Sequence, residues 1–439
     1  MLRFGLVSLV FLQVFSNDGA EAYERSLNVS VDPGCPEATT CGATSEGYRP
    51  NLVYILSQST ATPPSPSVSN PDPSYRILWS TIGAPTVLVT EAPAGSDLHL
   101  TSDNLKWMEF IEDSKHDPSS PFLFLWGGRF AGLTISKLIE FNDTKSIGKV
   151  SDSNATFIYD LSSPTWYPVT LTNEPNGRVD GTFKGLLTSG GVQRNLTVIM
   201  SAFSTNDRTA MPPHMLVTPS LVTVRVILDN LPVHFERSKF ALELIYASND
   251  ASNTTANHSV ERSTSDQYSP GVFTVERVSG SDTFVQWRPV VYTSANPGVS
   301  DSTRSTTSDL LNITMDVDRN HTDTGMPYSL LQGLAGLTTT NSNTLVRFNV
   351  SFGENNDGYY NTSKYQEWLV EVGIGRAPHD TVTKSLKWVI AVALGIPAAL
   401  LLVGALYAAY VKFGRSRLED RTLLVKETTT VTNYDSVNQ

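Results

Sequence analysis

A mainly β chain, with an antiparallel sandwich-like ectodomain carried on one C-terminal transmembrane helix, is the fold class this sequence predicts. Three observations predict it. Short segments with alternating apolar and polar residues recur along the chain, as in Val346-Arg347-Phe348-Asn349-Val350-Ser351-Phe352. Such alternation marks half-buried strands. Asn-x-Ser/Thr acceptors fall on the polar positions of several of these segments. Finally, residues 388–411 form an apolar run with no charged residue near the C-terminus. The chain has 439 residues, more than one core normally serves, so the β-rich part is expected to hold one or two subdomains.

Taken in order, Arg3 followed by the apolar stretch Phe4 to Phe15 and the small-x-small site Ala20-Glu21-Ala22 reads as a secretory signal over residues 1–22. The ectodomain is then 23–387. Its two cysteines, Cys35 and Cys41, could close one small loop in an oxidising compartment; a metal pair or a redox pair are the alternatives. Strands are expected at Leu27 to Val31, Tyr75 to Trp79, Val87 to Val89, Phe122 to Trp126, Leu196 to Met200, Val222 to Val226, Leu242 to Tyr246, Phe284 to Tyr292, Leu311 to Met315 and Val346 to Phe352. A helix is plausible only at Leu133 to Phe141. Pro63 to Pro73, Asn249 to Asp266 and Ser294 to Ser308 read as exposed polar loops. A subdomain boundary is placed near Thr205 to Pro213.

Ten acceptors occur, at Asn28, Asn142, Asn154, Asn195, Asn253, Asn257, Asn312, Asn320, Asn349 and Asn361, all between the signal and the apolar run. Chance alone would supply several in a chain this rich in Asn, Ser and Thr, so placement carries the argument. At Asn28, Asn195, Asn312 and Asn349 the acceptor alternates with apolar neighbours and so faces solvent.

From Trp388 to Val411, 24 residues reach roughly 36 Å, enough to span a bilayer with some tilt. Trp388 and Tyr410 mark the interfaces, and Lys412, Arg415, Arg417 and Arg421 follow as the cytosolic charge signal. Within the helix Ala391, Gly395 and Ala399 make a stripe of small residues that permits close approach of a partner helix, and Pro397 adds a bend. The tail, 412–439, has room for signals but for no domain. Glu419 with Leu423 and Leu424 has the form of an acidic dileucine signal, and Tyr434 with Val437 that of a tyrosine signal. Clathrin adaptors take up such segments as extended peptides, which implies endolysosomal sorting.

Composition excludes more than it proves. A formal net charge of −11 argues against nucleic-acid partners. The seven histidines, at 99, 116, 214, 234, 258, 321 and 379, show no metal-ligand spacing. Asp323-Thr324-Gly325 matches the aspartic-protease tripeptide, but that chemistry needs two such carboxylates, and the triplet occurs once. Trp126-Gly127-Gly128-Arg129 reads as a turn before it reads as a phosphate cradle. No catalytic, cofactor-binding or metal residue is expected, and no cofactor.

Several segments resemble the glycosylated lysosomal membrane protein family. They are Ile77-Leu78-Trp79-Ser80-Thr81-Ile82-Gly83, Leu138-Ile139-Glu140-Phe141, Asp266 to Phe273, Gln286-Trp287-Arg288-Pro289-Val290, Phe348 to Gly353, and Ala391 to Pro397, with the closing Tyr434-Asp435-Ser436-Val437-Asn438. None is a chemical motif; the specificity lies in their order along the whole chain. The resemblance implies a lysosomal accessory subunit that binds a multi-pass major-facilitator dipeptide transporter and shields it from luminal proteases. It transfers no catalytic residue. Members carry cysteines later in the ectodomain, so a family disulfide network does not map onto Cys35 and Cys41. The competing class is a ligand-binding receptor or hydrolase on a β scaffold, which a fold alone does not exclude.

Overall fold

A computed structural model describes residues 25–31, 51–60, 73–92, 129–189, 191–249, 256–265, 271–298, 300–313, 326–332, 344–380 and 384–431. They fall into two compact units, one drawn from 1–262 and 273–379 and the other from 263–272 and 380–439. The signal segment, Cys35, Cys41, the 122–126 strand, Gly127, Gly128 and Asp323 to Gly325 lie outside the described residues.

The strands of the first half are β1 (Arg25–Val31), β2 (Leu52–Ser59), β3 (Ser74–Ser80), β4 (Thr86–Ala92), β5 (Phe130–Asn142), β6 (Thr156–Asp160), β7 (Thr165–Trp166), β8 (Thr170–Asn173), β9 (Arg178–Ser189) and β10 (Val192–Phe203). There follow β11 (Asp207–Arg208), β12 (Leu216–Val217), β13 (Leu221–Asp229), β14 (Ser238–Ser248), β15 (Asn257–Ser265) and β16 (Gly271–Ser279). The last are β17 (Thr283–Trp287), β18 (Val290–Tyr292), β19 (Ser302–Thr307), β20 (Leu311–Asn312), β21 (Thr344–Phe352) and β22 (Tyr365–Ile374). Two α-helices are also described, α1 (Tyr360–Ser363) and α2 (Lys384–Val431), and residues 330–332 have helical backbone.

These strands build an antiparallel sandwich. The first sheet runs β1, β2, β3, β4, β5, β14, β21, with β6 continuing along β5 beyond β4 and β20 on the far side of β21. The second runs from β7 and β8 through β9, β10, β13 and β22 to β17 and β18, with β16 beyond β17. Strand β19 joins them, pairing with β18 through Ser302 to Arg304 and with β21 through Ser305 to Thr307. The 205–213 stretch, proposed above as a boundary, lies in the connection between β10 and β13, which pair side by side in one sheet.

Alternation explains the core. On β13, Val222, Val224, Val226 and Leu228 point inward, and on β21 Val346, Phe348, Val350 and Phe352 meet them across the sandwich in one apolar cluster with Trp79, Phe183, Leu242 and Trp287. Indoles this large need small neighbours. A Cβ on Gly181 would come within 2.9 Å of the Trp79 ring, and one on Gly185 within 2.9 Å of Trp166, so two glycines of β9 seat two tryptophans. The first sheet is also covered outside. Leu52, Tyr54, Leu78, Leu88 and Ile245 pack there against Leu330 and Leu331.

Four sequence expectations fail. The helix expected at Leu133 to Phe141 is strand β5, paired with β4 and β6 on one side and β14 on the other. A register shift at Glu243/Leu244 inserts Ser136 as an extra residue, so Leu133, Ile135 and Leu138 all reach the core while Ile139 and Phe141 pack outside. One bulge thus converts a period of two into a spacing that imitates a helix. The polar loops at Asn249 to Asp266 and Ser294 to Ser308 contain strands β15 and β19. Polar composition hid both; β19 is held through its backbone by β18 along one half and by β21 along the other. The expected strand from Phe284 to Tyr292 is also divided at Arg288 and Pro289, where proline removes a ladder donor.

Candidate functional surfaces

The acceptor asparagines divide by environment. Asn28, Asn154, Asn195, Asn257, Asn312 and Asn361 are exposed, whereas Asn142 and Asn349 are half-buried. Asn253 and Asn320 lie outside the described residues. Asn195 stands on β10 opposite the buried Leu196, Val198 and Met200, the arrangement its alternation implied. Asn349 shares the outer face of β21 with Arg347; its backbone N–H donates to Ser308 Oγ at 2.9 Å, and its Oδ1 is enclosed without a partner. At Asn312 the alternation fails, because Leu311 is itself exposed and Ile313 alone packs against the outer apolar layer. Asn361 lies in α1 and donates its Nδ2 to the Glu236 carbonyl at 3.0 Å.

Among the described residues of the first unit serine, histidine and carboxylate converge around Glu140, a grouping that sequence reading missed. The β5 bulge turns Glu140 inward, where it is fully buried. Its Oε2 lies 2.6 Å from His234 Nδ1, while Oε1 accepts from the His234 backbone N–H at 2.6 Å and from Ser238 Oγ. Nucleophilic catalysis needs histidine between hydroxyl and acid, so that the ring can take the hydroxyl proton. Here the acid stands in the middle. The ring of His234 stacks on Phe157 with centroids 3.7 Å apart, and Ser238 Oγ also donates to the Phe235 carbonyl at 2.8 Å. The cluster therefore ties the turn before β14 to β5, and its wiring suits a structural clamp.

A second buried charge serves the same end. Lys239 Nζ lies 3.1 Å from Asp143 Oδ2 and 2.5 Å from Asp357 Oδ1, and donates to the Glu354 carbonyl at 3.0 Å. Two carboxylates and a carbonyl satisfy the ammonium group where water does not. Nearby, Tyr360 accepts from the Leu231 N–H at 3.0 Å and donates to the Lys364 carbonyl at 3.0 Å. Burial pushes its hydroxyl well above the ordinary tyrosine range, so it stays a donor. Among the described residues no group of three or more His, Cys, Asp or Glu is placed to hold a metal.

In the second unit, α2 has the length and apolarity to cross a membrane over Lys387–Phe413, 27 residues of mean hydropathy 2.6. Trp388 and Tyr410 are exposed near its ends, and Ala391, Gly395 and Ala399 are exposed along it, with Pro397 inside. Apart from the adjoining backbone of its own helix, no described atom stands within 4 Å of a Cβ built on Gly395. The helix continues to Val431, so Glu419, Leu423 and Leu424 have helical backbone; an adaptor that reads them as an extended peptide must first unwind that turn. Tyr434 and Val437 lie outside the described residues.

A β-sandwich bearing exposed asparagine acceptors, followed by one apolar helix and a short basic-flanked tail, defines a single-pass membrane glycoprotein of type I topology. Comparison with known families makes this specific: the glycosylated lysosomal membrane protein model matches residues 67–415, and the chain belongs to that family. The relative from Bos taurus is 27% identical over 378 residues, covering 82% of this chain and 84% of its own. That from Homo sapiens is 28% identical over 292 residues, covering 63% and 67%. That from Danio rerio is 24% identical over 430 residues, covering 93% and 95%. All three carry the name glycosylated lysosomal membrane protein. The protein is thus a lysosomal membrane glycoprotein with its β ectodomain in the lumen.

Proposed function

We propose that the chain is a non-enzymatic accessory subunit that binds a multi-pass lysosomal dipeptide transporter of the major-facilitator class and protects it from luminal proteolysis. The observation that carries the non-enzymatic half is the wiring of the Glu140 cluster, where the carboxylate occupies the place a catalytic histidine would need. Support for the accessory half comes from the family resemblance and from an apolar helix exposed along its length, whose small-residue stripe at Ala391, Gly395 and Ala399 suits close packing with another helix. Protection follows from mass action: a bound glycosylated cover lowers the population of transporter whose loops are open to cleavage. Clathrin adaptors would reach the complex through Glu419, Leu423, Leu424, Tyr434 and Val437.

The test is the half-life of co-purifying multi-pass transporters in cells lacking this chain. Shortened lifetime, restored by inhibiting luminal proteases, is the expected result. An unchanged half-life defeats the reading. In parallel, alanines at Leu423, Leu424 and Tyr434 should send the protein to the plasma membrane; lysosomal retention would place the address elsewhere.

A further inference from the structure

Among the described residues three strands of the first sheet are paired on one side only, and each has both an acceptor and an exposed apolar side chain in or beside it. They are β1, β6 and β20, paired with β2, β5 and β21 respectively. Asn28 lies in β1, Asn154 two residues ahead of β6, and Asn312 in β20, all exposed. On the same strands Val31 is 40% exposed, Ile158 52% and Leu311 62%. Neither lysine nor proline occurs in any of the three strands; of their charged residues Arg25 is buried and Asp160, at the end of β6, is exposed. An unpaired strand with an apolar side chain in water is a template for pairing with another chain, and natural edges are usually blunted by charge, proline or bulges.

The second sheet shows what such blunting looks like in this molecule. Its edge strands β7 and β8 span 2 and 4 residues. Pro164, Pro168 and Pro175 flank them, and no acceptor falls in or beside them. Proline lacks the donor that a neighbouring strand would need. The second sheet is thus guarded by short, proline-flanked edge strands, whereas the first has the asparagines, a β20 of 2 residues and the exposed Asp160 at the end of β6.

We infer that carbohydrate on Asn28, Asn154 and Asn312 is the edge guard of the first sheet, keeping copies of this chain from pairing through β1, β6 and β20. A glycan is bulky and hydrated, and its attachment at or beside an edge strand blocks the approach of a second strand while covering the neighbouring apolar side chain. This function concerns the chain itself and stands apart from protection of a partner.

The test compares two triple variants of the full-length glycoprotein, purified in mild detergent and sized by light scattering after chromatography. Asn28→Gln, Asn154→Gln and Asn312→Gln together should shift most of the chain from the untreated size into larger assemblies. Asn142→Gln, Asn195→Gln and Asn361→Gln remove equally many acceptors from strands paired on both sides and from α1, and should leave the size distribution of the polypeptide unchanged. Adding Val31→Lys, Ile158→Lys and Leu311→Lys to the edge variant should restore the original size, because lysine replaces sugar as the guard. Should the edge variant fail to leave the endoplasmic reticulum, the same reading is made by enzymatic glycan removal from the folded wild-type and lysine-bearing proteins, with assembly expected in the first only. Equal behaviour of the two triple variants, or assembly that lysine does not reverse, overturns the inference.

Discussion

The two sheets of the sandwich share one core but stand differently toward water. Strand β14, flanked by β5 and β21 in the first sheet, is buried along its whole length. Strand β10 of the second buries Leu196, Val198, Met200 and Ala202 while leaving Thr197 and Ile199 half-exposed. The first sheet is therefore the middle layer of three, with Leu52, Leu88, Leu330 and Leu331 packed outside it. The second is an outer wall. A sheet buried on both faces reads as nearly continuous apolar sequence, whereas a wall alternates. The difference teaches where substitutions will be felt.

The largest effect is expected where the two sheets meet. Phe348→Asp puts a carboxylate in the buried core beside the stacked ring of Trp287, 5.7 Å from centroid to centroid. The cost should exceed about 4 kcal/mol and prevent export from the endoplasmic reticulum. Normal trafficking of this variant would show that β21 turns its other face inward.

A matched pair then separates the sheets. Leu88→Gln strikes the fully buried outer face of the first sheet and should cost about 3 kcal/mol, while Ile199→Gln on the half-exposed face of the second should cost less than about 1 kcal/mol. Thermal midpoints of the two variants read the contrast directly. Equal losses would make the second sheet a middle layer too.

Between these lies Gly181→Val. The glycine belongs to the second sheet but its free space belongs to Trp79 of the first, with 2.9 Å from a built Cβ to the ring. Overpacking there should cost about 2 kcal/mol, and the companion change Trp79→Phe should recover part of it. No recovery would mean that β9 itself, not the indole, resists the side chain.

These contrasts also show what the sequence could reveal. Strands such as β13 and β21, with one face in the core and period two intact, were legible residue by residue. Strand β5 was not, because Ser136 breaks the phase and its partner β14 lies a hundred residues away in the chain, where no local window sees it. Strands β15 and β19 were hidden by their polarity. Acceptors were legible as motifs, yet their relation to sheet edges was not, since being an edge is a property of pairing across the fold. The Glu140 cluster was missed for the same reason: residues 140, 234 and 238 meet only once β5 and β14 are paired. A lone glutamate between Ile139 and Phe141 was the available signal.

The smallest effect is expected at Asn349, and it bears on where the outer layer stops. Around that residue the outer face of the first sheet turns polar: Glu243, directly opposite Asn349 in the register, holds Lys137 Nζ at 3.0 Å and stands 3.9 Å from Arg347 Nε. Glu243 is itself buried, but Lys137 and Arg347 are half-exposed and carry the charge group out to solvent, so this half of the face has the character of a rim and not of a packed apolar layer. Asn349→Gln keeps the strand's backbone bond to Ser308 Oγ and removes only the acceptor amide. The expected outcome is a change within about 0.5 kcal/mol, with the apparent mass falling by one glycan. Because Asn349 Oδ1 is enclosed, the longer amide must swing toward solvent, which the polar surroundings permit. If the thermal midpoint instead drops as far as it does for Leu88→Gln, the covered layer extends across β21, and a sugar at Asn349 would have to lie beneath it, which its bulk and hydration forbid.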